Sequence, residues 1–100
     1  MVITLTPWRP DRVIAPGTLL AAWLAESQMT DVELALMCAG GEETGRVIRV
    51  IRAVLARRRY GEATAALLAS GTSVPPAFWL ALEHDYRAGL TAGLTDASDA

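Results

Sequence analysis

The sequence predicts an all-α fold of five helices, and three observations lead to that prediction. Hydrophobic residues make up 52% of the 100 residues, which is enough for one modest core. They recur at the three- and four-residue spacing of a helix face rather than in strict alternation. Proline and glycine fall between the periodic segments, where they begin and end helices. We therefore expect one helical domain over residues 16–90.

Both ends of the chain are expected to lie outside this domain. Residues 1–15 contain Pro7 and Pro10 and are followed by Pro16; prolines fix φ and disfavour a helix, so an extended N-terminal arm is predicted. Within the arm, the segment VITLT at residues 2–6 fits either a short edge strand or plain extended chain. Residues 91–100 are mostly small and polar, which predicts a flexible tail.

Capping residues predict where the first two helices begin and end. Helix one is expected from Gly17 or Thr18 to Ser27. Helix two is expected to begin at Thr30, because the run TDVE has the form of a capping box with Glu33 three residues after the cap. A turn with two glycines follows this helix and leads into the third.

Proline and glycine predict the bounds of the last two helices in the same way. Helix four is expected from Gly61 or Glu62 to Ser70, with Gly71 as its stop. Helix five is expected to begin at the proline pair at residues 75–76, since proline suits the first turn of a helix. All five helices are then joined by short connections, which is typical of an all-α architecture.

Helix three, expected from Thr44 to about Arg58, is divided by its periodicity into two faces. At about 100° per residue, one broad arc is apolar. It consists of Val47, Ile48, Val50, Ile51, Val54 and Leu55. The opposite arc carries Arg46, Arg49 and Arg52, and the helix supplies no acidic residue at the spacing that would pair with them. We therefore expect a helix that buries one face and presents a cationic strip.

The charge distribution points to a nucleic-acid partner, although the net charge is −2. All nine positive charges are arginines, and six of them lie within fourteen residues: Arg46, Arg49, Arg52, Arg57, Arg58 and Arg59. A duplex meets this local field rather than the net charge. Because the arginine fork fits phosphates and guanine edges, double-stranded DNA is the predicted partner. The competing interpretation is an ordinary solvated helix face.

The predicted DNA contacts are distributed along helix three and just after it. Thr44 and Gly45 stand at the start of the helix, where a recognition helix usually touches bases. Arg46 and Arg49 are placed to reach base edges or phosphates. The other arginines are expected to contact phosphates, which add affinity but read no sequence. These are Arg52, Arg57, Arg58 and Arg59.

Three stretches of the chain resemble a known family. Pro16-Gly17 followed by Leu19-Leu20 is similar to the family's first helix, and residues 29–35, MTDVELA, look like its second. The most specific stretch is C-terminal: Gly71-Thr72-Ser73, then Phe78-Trp79-Leu80, Leu82 and Tyr86. The family is the HigA-type antitoxins of the XRE, or lambda-repressor-like, helix-turn-helix group. The resemblance implies a regulator, such as a repressor, that binds operator DNA as a dimer. In antitoxin members it also implies neutralisation of a partner toxin.

The chain departs from the family pattern in ways that motivate an alternative function. Ala15 and Thr18 replace a histidine and an acid that usually flank the Pro-Gly pair. The turn before helix three is about two residues longer and carries Glu42 and Glu43, whose charges weaken attraction to phosphate. The alternative is a protein-interaction module of the same fold, either an antitoxin-like binder or an inhibitor of another protein.

A homodimer is expected, because two-fold symmetry would place two recognition helices about one DNA turn apart. Aromatic side chains are the candidate interface anchors. They are Trp8, Phe78, Trp79 and Tyr86.

Enzymatic activity is not expected, and neither is a cofactor or a metal. No nucleophile–base pair or phosphate loop is visible. The run Glu83-His84-Asp85 cannot converge on one ion, since consecutive helix residues point in different directions. Cys38 is the single cysteine, so it forms no internal disulfide and favours a reducing, cytoplasmic setting. No apolar stretch approaches the roughly 18 residues of a membrane span.

Overall fold

The computed structural model describes residues 12–39 and 43–96, which form five helices and one small sheet. The helices are α1 (Pro16–Ser27), α2 (Asp31–Ala39), α3 (Thr44–Leu55), α4 (Glu62–Thr72) and α5 (Pro76–Thr91). Strand β1 (Arg12–Val13) pairs in parallel with β2 (Thr95–Asp96). The predicted all-α character is confirmed. The candidate strand at residues 2–6 and Trp8 lie outside the described residues.

Local signals place the helix starts within about one residue of their predicted positions, with α1 beginning at Pro16 instead of Gly17 or Thr18 and α2 at Asp31 instead of Thr30. At α2 the backbone N–H of Thr30 donates to Glu33 Oε1 at 2.9 Å, and the backbone N–H of Glu33 donates to Thr30 Oγ1 at 3.1 Å. These two bonds are the reciprocal pair of a capping box. Pro16 and Pro76 occupy the first turns of α1 and α5, where their missing N–H groups cost nothing.

The end of α3 differs from its prediction. The helix ends at Leu55, three residues before Arg58. Arg57 adopts a left-handed conformation with φ of 65°, and its N–H donates to the Val54 carbonyl at 2.9 Å. The N–H of Arg58 donates to the Ala53 carbonyl at 3.0 Å, which completes a Schellman motif. Glycine is the usual residue at this stop, so an arginine there hides the helix end from sequence reasoning.

The end of α4 is also corrected. Gly71 lies inside the helix, and the left-handed residue that ends it is Ser73, with φ of 65°. A Cβ atom on Gly71 would stand 2.4 Å from Cys38 Sγ and 2.7 Å from a methyl carbon of Leu34. This glycine therefore allows α4 to approach α2 closely and does not stop the helix.

All five helices contribute to one hydrophobic core, so the described residues form a single packed unit. The core residues are Leu20, Leu24, Leu34, Ala35, Val47, Ile51, Val54, Ala65, Leu68 and Trp79. Helix α3 packs against α1 and α2, and α4 packs against α2 and α5. In the described part of the chain, no helix is both long and apolar enough to cross a membrane.

The predicted flexible tail is wrong for the described residues that follow α5. Gly93, with φ of 90°, turns the chain back, and the Leu94 N–H donates to the Gly89 carbonyl at 2.9 Å. Strand β2 then pairs with β1, and Asp96 is buried. Gly89 lets β1 approach α5, since a Cβ there would lie 2.2 Å from a methyl carbon of Val13. The two ends of the described chain therefore pack onto α5.

Candidate nucleic-acid interface

Helix α3 is two-sided, as its periodicity predicts. Val47, Ile51 and Val54 are buried in the core against α1 and α2. On the opposite side, Gly45, Arg46, Arg49 and Arg52 are exposed, and Ala53 lies between the arginines. Arginines spaced three residues apart on a helix project from adjacent turns of one surface. The described chain therefore presents a cationic strip on the solvent side of α3.

Gly45, one of the two predicted contact residues at the start of α3, is accessible to a partner. Gly45 is exposed, and a Cβ atom built there would meet nothing within 4 Å. A neighbouring surface can therefore come close to the backbone at this point. Thr44, the first residue of the helix, is half-buried and already engaged in a contact of its own.

Arg52 has an acidic partner that the sequence does not reveal. Its Nε atom lies 2.7 Å from Asp31 Oδ2 at the start of α2. The Arg52 side chain is 61% exposed, and that of Asp31 is 25% exposed. The hydrogen bond from Arg52 lowers the pKa of Asp31, an effect that outweighs the opposing effect of partial burial. This partner lies on α2, so the contact differs from the within-helix pairing that α3 was expected to lack.

The other two arginines of the strip are held more loosely. Arg46 Nη1 lies 3.6 Å from Glu43 Oε1, and both side chains are largely exposed. Ion pairs of this kind contribute less than about 1 kcal/mol, because water screens them. Arg49 is exposed and has no ion-pair partner among residues 12–39 and 43–96. Both side chains are thus free to reach a ligand at little cost.

Arg57, one of the predicted phosphate contacts, belongs to an intramolecular network. Its Nε atom lies 3.1 Å from Asp96 Oδ2, and the Asp96 side chain is only 5% exposed. The Tyr86 hydroxyl donates to the same carboxylate oxygen at 2.6 Å. The guanidinium of Arg87 donates to the backbone carbonyl of Arg57. These contacts fix the end of α3 to α5 and β2.

Arg87 is the centre of this network and was missed by sequence reasoning. Its Nε atom donates to Glu83 Oε2 at 2.9 Å, one helical turn earlier. Its guanidinium carbon lies 4.8 Å from the centre of the Tyr86 ring, in a cation–π contact. The spacing of Glu83 and Arg87 on α5 is the signal that could have indicated this pair. Arg58 and Arg59, beyond the network, are exposed.

Two of the candidate dimer anchors lie in the interior of the protein. Trp79 is 2% exposed and Tyr86 is 4% exposed, so neither is accessible to a partner. Their proposed role in a dimer interface is therefore corrected to a role in packing. Phe78 is 51% exposed and touches Trp79 edge to face. Trp8 lies outside the described residues.

A second exposed surface lies on the outer side of α2. Val32 and Leu36, one turn apart, are exposed together with Met37. Leu34 and Ala35 occupy the inner side and are fully buried. Large apolar side chains grouped on a surface are typical of sites that contact other proteins.

The residues considered for enzymatic or metal chemistry occupy separate places. Glu83 is buried, whereas His84 and Asp85 are exposed, so the three side chains diverge. Within residues 12–39 and 43–96, no group of three His, Cys, Asp or Glu residues could hold a metal ion. The thiol of Cys38 donates to the Leu67 carbonyl at 3.2 Å, and burial raises its pKa.

Comparisons with known proteins found nothing similar to this chain. A scan against protein-family models, a search of curated proteins and a search of solved structures each found no match. The likeness to HigA-type antitoxins therefore rests on the three sequence stretches quoted above.

Proposed function

We propose that this protein is a DNA-binding regulator with a lambda-repressor-like helix-turn-helix fold that binds a duplex through the solvent side of α3. One observation carries the proposal. Arg46, Arg49 and Arg52 are exposed together on the side of α3 that faces away from the core. No acidic residue of α3 itself lies among them. Such a helix can place several guanidinium groups against one groove.

The shape of this surface supports entry of α3 into the major groove, which is about 12 Å wide. Beside the arginines the helix carries the small residues Gly45, which is exposed, and Ala53, which is half-buried, and residues of this size allow close approach. Helix α2 packs against α3 and would brace it, as the first helix of a helix-turn-helix does. The proposed homodimer would present two such helices to one duplex.

The arginines differ in whether they have acidic partners, which supports different roles for them in DNA binding. Arg49, Arg58 and Arg59 have no ion-pair partner in the described part of the chain, so they are free to neutralise phosphates. Arg57 is held by Asp96 and Arg87 and is left out of the proposed interface. The net charge of −2 is compatible with binding because the field is local.

The test is a titration of a fluorescent random-sequence duplex at low salt, repeated at several salt concentrations. We expect weak binding by the wild type and a clear loss of affinity in Arg49→Ala and in the double variant Arg46→Ala/Arg49→Ala. Each lost phosphate contact should reduce the salt slope by about 0.9. Arg12→Ala is the matched control for Arg49→Ala, since it removes one positive charge from β1, which packs against α5 and β2.

A second candidate function is favoured by the outer side of α2. The exposed Val32, Leu36 and Met37 side chains fit a protein partner better than a duplex. In that case the protein is a binding module of the same fold, such as an antitoxin-like binder. Absence of any duplex binding by the wild type at low salt would favour this second function. Equal loss of affinity in Arg49→Ala and Arg12→Ala would rule out α3 as the contact surface.

A further inference from the structure

We infer that Asp31 holds Arg52 in place to read guanine, so that this pair sets the base preference of α3. The inference rests on the proposed function, since it assigns a role within the same DNA-binding surface. It changes the expected role of Arg52 from a phosphate contact to a base contact. Asp31 acts as a positioning residue, because it works through Arg52 and does not itself touch the base.

The contact between the two side chains leaves the Nη1 and Nη2 groups of Arg52 free. Asp31 engages Nε, and within the described residues the guanidinium has no other partner. Guanine is read by two parallel bonds from an arginine to O6 and N7. The Nη1 and Nη2 groups supply the donors for such a pair while Nε remains on Asp31. With a side chain that is 61% exposed, Arg52 can use them toward a ligand.

Asp31 is itself held in place, so it can fix the position of the Arg52 side chain. Its Oδ1 atom accepts a hydrogen bond from the Val32 N–H at 2.8 Å, while Oδ2 holds Arg52. It stands in the first turn of α2, where the helix dipole favours a negative charge and the Thr30–Glu33 capping box fixes the helix start. The hydrogen bond from Arg52 lowers the pKa of Asp31, since this contact favours the charged carboxylate. Arg52 therefore loses less rotamer freedom when it binds.

The charge of the pair favours a base over a phosphate as its ligand. Asp31 and Arg52 together carry no net charge, so a phosphate contributes little binding free energy to this pair. A phosphate binds more strongly to a cation whose charge is not compensated. A base edge is neutral, so its affinity for an arginine depends on how well the donor groups are oriented. Arg49, which has no acidic partner in the described residues, has the opposite character and suits a phosphate.

The experiment selects duplexes from a random pool with the wild type and four variants. The best duplex and all its single-base changes are then titrated. For the wild type we expect one guanine whose replacement weakens binding about tenfold or more. Arg52→Ala and Arg52→Lys should both lose this preference, since lysine keeps the charge but not the fork. Arg49→Ala, the matched control, should weaken all duplexes alike and keep the preference.

Asp31→Asn separates positioning from simple charge competition. We expect it to strengthen binding to the unselected pool, because a negative charge is gone, and to reduce the guanine preference several-fold. An increase for every duplex with the preference intact would overturn the inference, as would an unchanged preference in Arg52→Ala. If the wild type binds duplexes without any guanine preference, the inference fails and the proposed function stands. If it binds no duplex at all, both fail.

Discussion

The arginines on the exposed side of α3 and Arg57, just beyond the C-terminal end of this helix, lie in opposite environments. Arg46 and Arg49 extend into solvent with weak or no acidic partners among the described residues. Arg57, only a few residues further on, is bound to a buried carboxylate on β2. The same residue type therefore provides a ligand surface in one region and a structural tie in the other. The difference arises from acids that are remote in sequence.

Burial, more than distance, separates the two acid–arginine contacts. The Arg52–Asp31 contact is the shorter, at 2.7 Å against 3.1 Å for Arg57–Asp96. Nevertheless the first pair is solvated, and such pairs contribute less than about 1 kcal/mol. The second involves a carboxylate that is almost fully removed from water and also accepts the Tyr86 hydroxyl. A buried group of this kind becomes costly when its partners are removed.

Replacing Asp96 tests the buried side of this comparison and has the largest expected effect. Asp96→Ala leaves Arg57 and the Tyr86 hydroxyl without the carboxylate. We therefore expect the free energy of unfolding to fall by about 3 kcal/mol. The measurement is urea denaturation followed by helical circular dichroism. Asp85→Ala, at an exposed position on α5, is the control and should change stability by less than about 0.5 kcal/mol. Equal effects of the two changes would show that the network is not a structural tie.

Glycine substitutions extend the comparison to backbone positions. Gly71→Ala would drive a Cβ atom to 2.4 Å from Cys38 Sγ where α4 crosses α2, and we expect a loss of about 2 kcal/mol. Gly45→Ala, on the open side of α3, meets nothing within 4 Å and should gain up to about 1 kcal/mol from higher helix propensity. Thermal unfolding measures both. A Gly71→Ala protein as stable as the wild type would contradict the close helix contact.

Removing the Tyr86 hydroxyl weakens the same network by less. Tyr86→Phe loses the hydrogen bond to Asp96 and should cost about 1.5 kcal/mol at neutral pH. Burial, and then the Asp96 hydrogen bond and charge, raise the pKa of Tyr86. A raised folded-state pKa gives stability that is fully present below the unfolded value of about 10 and is lost as pH rises through the folded value. The difference between wild type and Tyr86→Phe should therefore shrink only in strongly alkaline solution.

Removing Asp31 has the smallest expected effect and tests the exposed side. Asp31→Ala should cost less than about 1 kcal/mol, because the pair with Arg52 is solvated. The pKa of Asp31 is lowered, so its contribution is present above the unfolded value of about 3.9 and is lost as pH falls through the folded value. Denaturation of both proteins at neutral and acidic pH measures this. A cost as large as that of Asp96→Ala would remove the contrast between the two contacts.

Much of the fold was predictable because helix starts are encoded by neighbouring residues. The capping box of Thr30 and Glu33 and the proline at the start of α5 work through groups within one turn of the chain. Helix ends were harder to predict. Arg57 takes a left-handed conformation that favours glycine, and it is held there by contacts from α5 and β2. No local pattern contains that information.

For the candidate site, the sequence by itself determined that α3 has an apolar and a cationic side, since helical periodicity follows directly from residue spacing. Only the tertiary structure decided that Arg52 and Arg57 have acidic partners. Asp31 precedes Arg52 by 21 residues, and Asp96 reaches Arg57 because β2 returns to β1 beside α5. Electrostatic partnership depends on distance in space, which a folded chain sets independently of distance along the sequence.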